Sequence, residues 1–257
     1  MFNKTSVLNK NILITGSSKG LGQALGKRII TDGKLQEKYQ HLIIHGSSKD
    51  SLTNGLLTMN KLKEKNIKIT GIVIDFDKPE LNQIEEYEIN DNEISLLKNH
   101  KNLKDFFKES MLDEIILNHA ISKDSLIYNI KKQDVQSTFN VNIISYIDLT
   151  SNLLNVWFKE NLRKKQDKKI ITIGSILNDQ RISIKGNMVY AMTKKNVEML
   201  SEYIRLEYSK RYPWLKTEHY NIPFLIDTNL VANKQLLNEV GVDKDSVDNV
   251  SRRIFQQ

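Results

Sequence analysis

Tyr190 and Lys194 stand four residues apart in the stretch Val189-Tyr190-Ala191-Met192-Thr193-Lys194. On a helix, residues i and i+4 share a face, so a phenol and an ammonium would project side by side. A free phenol, with a pKa near ~10, exchanges its proton poorly at neutral pH. A neighbouring ammonium favours the phenolate and is expected to lower that value, which suits proton transfer to a substrate oxygen. The spacing alone does not single this pair out, because Tyr128/Lys132 and Tyr212/Lys216 repeat it. Pro213 follows Tyr212, and a residue before proline avoids helical geometry, so Tyr212 and Lys216 are not expected on one helix face. Tyr128 and Lys132 have no hydroxyl-bearing strand end just upstream and read as a surface pair. Tyr190 and Lys194 instead follow the apolar run Lys169–Ile173 and its terminal Gly174-Ser175. Ligands bind at the carboxyl ends of strands in open parallel sheets, so Ser175 and Tyr190 are expected to converge on one substrate atom. Ser175 would hydrogen-bond a carbonyl there. It is not a hydrolase nucleophile, since Gly174-Ser175-Ile176 lacks the glycine-flanked elbow.

A second constellation lies near the start of the chain. Asn11–Thr15 is a short apolar run that ends in Gly16-Ser17-Ser18-Lys19-Gly20-Leu21-Gly22. Gly16 can take a backbone conformation closed to other residues, while Gly20 and Gly22 leave room for a close ligand and tight helix packing. The N–H groups opening the next helix suit a pyrophosphate. Where an NAD-preferring sheet carries an acid at the end of its second strand, this chain has His45-Gly46-Ser47-Ser48-Lys49, with no acid before Asp50. Ser47 and Ser48, with Lys19 and Lys49, lean towards a 2′-phosphate and hence NADP.

The elements that must position these groups alternate. Strand-like runs at Asn11–Thr15, His41–His45, Lys68–Ile74, Glu114–Leu117, Lys169–Ile173 and Thr217–Asn221 are separated by helical patterns at Leu21–Ile30, Ser51–Glu64, Lys132–Lys159 and Met188–Arg211. That order predicts an α/β fold, a doubly wound parallel sheet of Rossmann type. Residues 78–108 are charged and Asn-rich and read as an insertion without strands, bearing one helix near Leu103–Ser110. The chain ends in a helical pattern over Asp243–Phe255, with no obvious final edge strand. There is no linker and no repeat, so residues 1–257 are expected to form a single domain.

Composition narrows the class. Hydrophobic residues at 39% and charged ones at 27% are those of a globular chain. No apolar run approaches the ~20 residues of a membrane span, so no membrane association is expected. The absence of cysteine removes thiolate chemistry, and none of the helical patterns carries a pair of the five histidines, so no metal is expected. The net charge of +7 favours an acidic partner. No nucleic-acid-binding signature is present, so nucleic acid is not the expected one.

Taken together, these motifs resemble the short-chain dehydrogenase/reductase family over almost the whole chain. The first turn matches the family's TGxxxGxG. Asp75 matches the acid after the third strand that contacts adenine. Leu117-Asn118-His119-Ala120 is similar to NNAG, with Asn118 keeping the second Asn, and Pro223–Thr228 is similar to PGxIxT, with Phe224 in place of Gly. Asn142, Ser175, Tyr190 and Lys194 match the four catalytic positions. The resemblance implies cofactor contacts from Thr15, Gly16, Ser18, Lys19, Gly20, Leu21, Gly22, Ser47, Ser48, Asp75, Asn118, Tyr190, Lys194 and Thr228. It also implies that Lys194 holds the nicotinamide ribose and that Asn142 anchors a proton-resupplying water relay. Within the family, Ile121–Leu126 and Ile170–Ser175 are similar to 3-oxoacyl-acyl-carrier-protein reductases. The loop 46–51, the two-residue excess between Ser175 and Tyr190, and the insertion after Phe76 resemble their fungal mitochondrial form.

That likeness implies NADPH-dependent reduction of 3-oxoacyl groups on acyl carrier protein, an acidic partner, in mitochondrial fatty-acid synthesis. Arg211 is its implied docking residue, alongside the basic run Arg163, Lys164, Lys165, Lys168 and Lys169. A homo-oligomer is implied as well. The first thirty-one residues carry five cations and no acid, faintly like a presequence, but a strand beginning by Asn11 leaves a short leader. The location is therefore expected to be the mitochondrial matrix by resemblance, and otherwise the cytoplasm. A reductase of another carbonyl, or a cofactor-binding subunit without catalysis, are the alternatives.

Overall fold

The structure is a computed structural model that describes residues 9–62, 67–78, 84–90, 93–164, 166–179, 182–226 and 244–256. Strands β1 (Lys10–Ile14), β2 (Tyr39–Gly46) and β3 (Lys68–Val73) alternate with helices α1 (Gly20–Thr31), the short α2 (Gly33–Lys38) and α3 (Lys49–Lys61). Strands β4 (Ile84–Asn90) and β5 (Glu93–His100) follow, then helix α4 (Leu103–Ser110) and strand β6 (Glu114–Leu117). Helices α5 (Lys132–Phe139) and α6 (Ser145–Lys164) flank one π turn, Asn140–Ile144. Strand β7 (Lys168–Ser175), helix α7 (Met188–Tyr208) and strand β8 (Leu215–Ile222) complete the main sheet. Strands β9 (Phe224–Leu225) and β10 (Lys244–Asp245) pair in parallel as a small separate sheet, and helix α8 (Val247–Phe255) closes the chain.

The main sheet runs β5-β4-β3-β2-β1-β6-β7-β8. Its six strands from β3 to β8 are parallel, as the doubly wound expectation requires. Both faces are covered, which is why these strands read as unbroken apolar runs rather than alternating ones. Ile12 and Ile14 point to the side of α1, α3 and α8, against Leu25, Leu56 and Ile254. Leu13 points to the other side, towards Phe106, Leu153 and Trp157 of α4 and α6 and Val197 of α7. Each such fully buried side chain contributes about 1.5–3 kcal/mol. Helix α8 is fixed on α1 by Arg28, which donates to Asp248 at 2.8 Å and to Ser251 at 3.1 Å.

Two sequence expectations need correction here. The insertion around 78–108 carries the expected helix, but it also supplies β4 and β5, an antiparallel pair added to the β3 edge. Its alternation is hidden by a register shift between Glu86 and Tyr87, which buries both neighbours. The long helical pattern over Lys132–Lys159 is broken by the π turn, an insertion that apolar periodicity does not reveal. At the other edge β8 is outermost among the described residues, in keeping with the absence of a recognisable final strand.

Candidate active site and nucleotide cleft

The strand order reverses between β1 and β6, and a cleft of about 680 Å³ opens at the carboxyl ends of these strands. Its floor is the first βα turn. Gly16 (φ +62°) and Gly20 (φ +58°) both sit in the left-handed region, where a side chain is strained. Lys19 precedes α1 with extended backbone, no side chain caps the helix, and its first turn carries no acid. The uncapped N–H groups of a twelve-residue helix therefore face the cleft with Lys19 beside them, a setting that favours an anion. Gly22 lies beneath: a Cβ there would come within 2.6 Å of Asn118 Nδ2 and 2.8 Å of Ser17 Cα. Gly22→Ala is accordingly expected to displace the turn, weakening nucleotide binding at least tenfold in a fluorescence titration. Unchanged affinity would show that the turn's backbone is not what the ligand reads.

The expected cofactor residues fall into three groups. Gly16, Ser18, Lys19, Gly20, Leu21, Ser47, Asp75, Asn118, Tyr190 and Lys194 line the cleft. Thr15, Gly22 and Ser48 support it from behind. Thr15 Oγ1 donates to Ile116 O at 3.1 Å and accepts from Asn118 N–H at 2.9 Å, which ties β1 to β6. Ser48 caps α3 through a reciprocal pair with Ser51, at 3.3 and 3.4 Å. Thr228 lies outside the described residues. The sequence reading assigns no role to His45, Phe76 and His119, which also line the cleft. His119 enters the sequence reading only as a member of the NNAG-like stretch, His45 and Phe76 carry no motif signal of their own, and only the fold stacks Phe76 on His119, with ring centroids 4.2 Å apart.

Tyr190 lies in the first turn of α7, just after Gly186 (φ +87°) turns the chain and Asn187 bonds Asp124. The Ser175 hydroxyl hydrogen-bonds the Tyr190 phenol and also accepts from Leu177 N–H at 3.2 Å. Lys194, one helical turn further on, is 1% exposed, donates to Ile173 O at 3.0 Å, and stands 5.7 Å from the Tyr190 ring centroid. Sequence spacing alone suggested that Lys194 would depress the Tyr190 pKa. In this cleft, burial pushes the phenol up, opposed by the Ser175 hydrogen bond and reinforced by Asp124. Burial also lowers Lys194 to about 7. The charge that would stabilise a phenolate is thus itself disfavoured by desolvation.

Asn142 sits in the π turn, fully buried. Its Oδ1 accepts from Ile121 N–H at 2.8 Å, and its Nδ2 donates to Ile121 O at 2.9 Å and Thr193 Oγ1 at 3.0 Å. The amide therefore clamps the loop after β6 to α7, one residue from Lys194. Both of its donors are spent on this clamp, so its side chain has no donor left for a relay.

The other two Tyr-x-x-x-Lys pairs separate as expected. Tyr128 is 78% exposed in a short turn, and Tyr212 precedes Lys216 of β8 rather than sharing a helix with it. Arg211 lies just past α7, at the end opposite Tyr190, about 30 Å along the helix. It is exposed and stacks over Tyr212 at 5.6 Å. The basic run before β7 is less available than its sequence implies. Lys168 is buried against Leu112 O (2.7 Å) and Asp113 (3.0 Å), Lys169 pairs with Glu218 at 2.6 Å, and Lys165 lies outside the described residues.

The family model described as short chain dehydrogenase matches residues 93–234, more than half of the chain. The chain is a short-chain dehydrogenase. Among curated relatives, this short-chain dehydrogenase is 27% identical over 226 residues to 3-oxoacyl-acyl-carrier-protein reductase FabG of Buchnera aphidicola subsp. Baizongia pistaciae, covering 87% of this chain and 76% of the relative. It is 22% identical over 253 residues to the protein of the same name from subsp. Acyrthosiphon pisum, covering 98% and 86%. A solved structure, a short chain dehydrogenase from Burkholderia cenocepacia in complex with NADP, superposes with a TM-score of 0.71 at 16% identity. That match covers 97% of this chain and 90% of the other, a likeness of fold.

The residues present fit a nicotinamide dinucleotide. The uncapped α1 terminus and Lys19 suit its phosphates, Ser47 and Asp75 line the cleft just beyond β2 and β3, and Lys194 is buried with its amine donating to Ile173 O. Among the described residues, no group of three His, Asp or Glu is arranged to hold a metal, and no helix is long and apolar enough to cross a membrane.

Proposed function

We propose that this chain reduces the ketone of 3-oxoacyl groups carried on acyl carrier protein, using NADPH, in mitochondrial type II fatty-acid synthesis. The observation that carries the reading is the convergence of Ser175, Tyr190 and Lys194 at the carboxyl end of β7, where Tyr190 and Lys194 line a cleft that suits a dinucleotide. When bound, the cofactor supplies the hydride. Ser175 orients the substrate carbonyl, Tyr190 gives its phenolic proton to the ketone oxygen, and Lys194 offers the positive charge that steadies the phenolate left behind. The names of the two Buchnera relatives support a ketoacyl substrate, and the hydroxyl-rich, acid-free end of β2 supports NADPH over NADH.

The acidic carrier is drawn by a net charge of +7, with exposed Arg211 as the proposed contact. A second copy of the chain is the proposed cover for the exposed row Met188, Met192, Met199, Tyr203 and Leu206, which falls on one stripe of α7. The matrix location rests on the resemblance of the loop 46–51 and of the stretched Ser175–Tyr190 span to the fungal mitochondrial reductases.

The test is NADPH oxidation with acetoacetyl thioesters, free and carrier-bound, against unrelated ketones. Oxidation with the thioesters is expected. Activity on other ketones alone would assign a different carbonyl, and no oxidation with any 3-oxoacyl thioester would end this reading.

A further inference from the structure

His45, the penultimate residue of β2, has no part in the chemistry proposed above, yet it is hydrogen-bonded through both its backbone and its ring. It is 2% exposed. Its backbone N–H donates to Ser17 Oγ at 2.8 Å, and its carbonyl accepts from Ser17 N–H at 3.0 Å. Its ring makes two further bonds. Gly16 N–H lies 2.9 Å from Nδ1, and Ile74 O lies 3.0 Å from Nε2. A backbone N–H can only donate and a carbonyl can only accept. Nδ1 must therefore be bare and Nε2 must carry the proton, so the neighbours dictate a single neutral tautomer.

The two bonds reach different halves of the cleft. Gly16 begins the glycine turn, and Ile74 immediately precedes Asp75, which lines the cleft beyond β3. The turn is also pressed from the other side, because a Cβ on Gly16 would meet His119 Cα at 2.7 Å. Phe76 packs on the His45 ring at 4.9 Å and on the His119 ring at 4.2 Å, so the imidazole has little room to rotate away.

We propose that His45 is a positioning residue for the nucleotide: its Nδ1 holds the phosphate-binding turn at Gly16, and the bond from Nε2 to Ile74 O fixes the tautomer that leaves Nδ1 able to accept. The inference rests on the dinucleotide reading of the cleft. It separates from simple packing because Asn and Gln each replace one arm of the imidazole. An Asn carbonyl oxygen lies where Nδ1 does and still accepts from Gly16. A Gln amide nitrogen lies where Nε2 does and still donates to Ile74, but it leaves the buried Gly16 N–H without an acceptor.

The experiment is a fluorescence titration of NADPH into wild type, His45→Asn and His45→Gln, with thermal melts of each and steady-state kinetics in parallel. His45→Gln is expected to weaken NADPH binding about tenfold or more, while His45→Asn stays within about threefold of wild type. The KM for NADPH should rise in the Gln variant with kcat at saturation unchanged. Equal loss in both variants, or no loss in either, would overturn the proposal. If His45→Gln does not fold, His45→Asn decides alone: wild-type affinity supports the Gly16 bond, and a tenfold loss refutes it. Wild-type protein that binds neither NADPH nor NADH would instead remove the dinucleotide reading, and this proposal with it.

Discussion

Replacing Tyr190 by Phe is expected to lower kcat for 3-oxoacyl thioester reduction by about 10²–10⁴-fold, the usual range for a removed general acid. NADPH affinity should stay within about twofold, because the substitution deletes only the hydroxyl. The packing should survive too, since the ring that Tyr190 contributes to its apolar cluster with Leu177 and Phe224 is kept in phenylalanine. The stability effect is expected to be small. The hydroxyl's hydrogen-bond partner, Ser175, keeps its contact with Leu177 N–H. Steady-state kinetics together with a binding titration separate the two quantities. If kcat falls less than tenfold with affinity intact, proton donation comes from elsewhere, and the convergence at β7 would have to be read as binding alone.

The second large effect is on stability in mild acid. His41 is half-buried and His45 fully buried, and desolvation lowers each to about 4, against about 6.5 when the chain is unfolded. Between those values the unfolded chain binds more protons, so stability rises with pH across that window. The contribution is fully present above about pH 6.5 and is lost as pH falls towards 4. Each 2.5-unit difference corresponds to about 3 kcal/mol, so the pair removes on the order of 6 kcal/mol, comparable with the whole stability of many domains. His119, also lowered by burial, acts in the same direction. Thermal melts at pH 8, 6 and 5 are expected to show a steep drop between the last two, above the range where carboxylates titrate. A flat melting temperature from pH 7 to 5 would contradict the neutral state of these rings.

Much of this site is legible in one sequence because its parts are local. The glycine turn, the strand end Gly174-Ser175 and the i, i+4 pair on α7 each occupy fewer than ten consecutive residues, and strand order alone brings them together. The parallel strands were equally plain, since burial on both faces leaves β-branched runs such as Ile170-Ile171-Thr172-Ile173. What escaped depends on partners distant in sequence. The β4–β5 hairpin is disguised by charge and by the slip at Glu86/Tyr87. Its inward Glu86 is tolerable only because His100 lies 3.0 Å away across the hairpin. Asn142 gave its residue type but not its clamp, which needs Ile121 and Thr193. The direction of the Tyr190 shift is hidden from the sequence for the same reason. Spacing reports the neighbour's charge but not how deeply both groups are buried.

Lys194 is the place where this fold works against itself. A fully enclosed amine on α7, donating to the Ile173 carbonyl, costs the folded state desolvation that a methionine of nearly the same length would not. A library of this protein sorted only for heat resistance would thus enrich apolar replacements at position 194 and discard turnover. Engineering for robustness has to screen on reduction itself, or hold that residue fixed and seek its gains elsewhere.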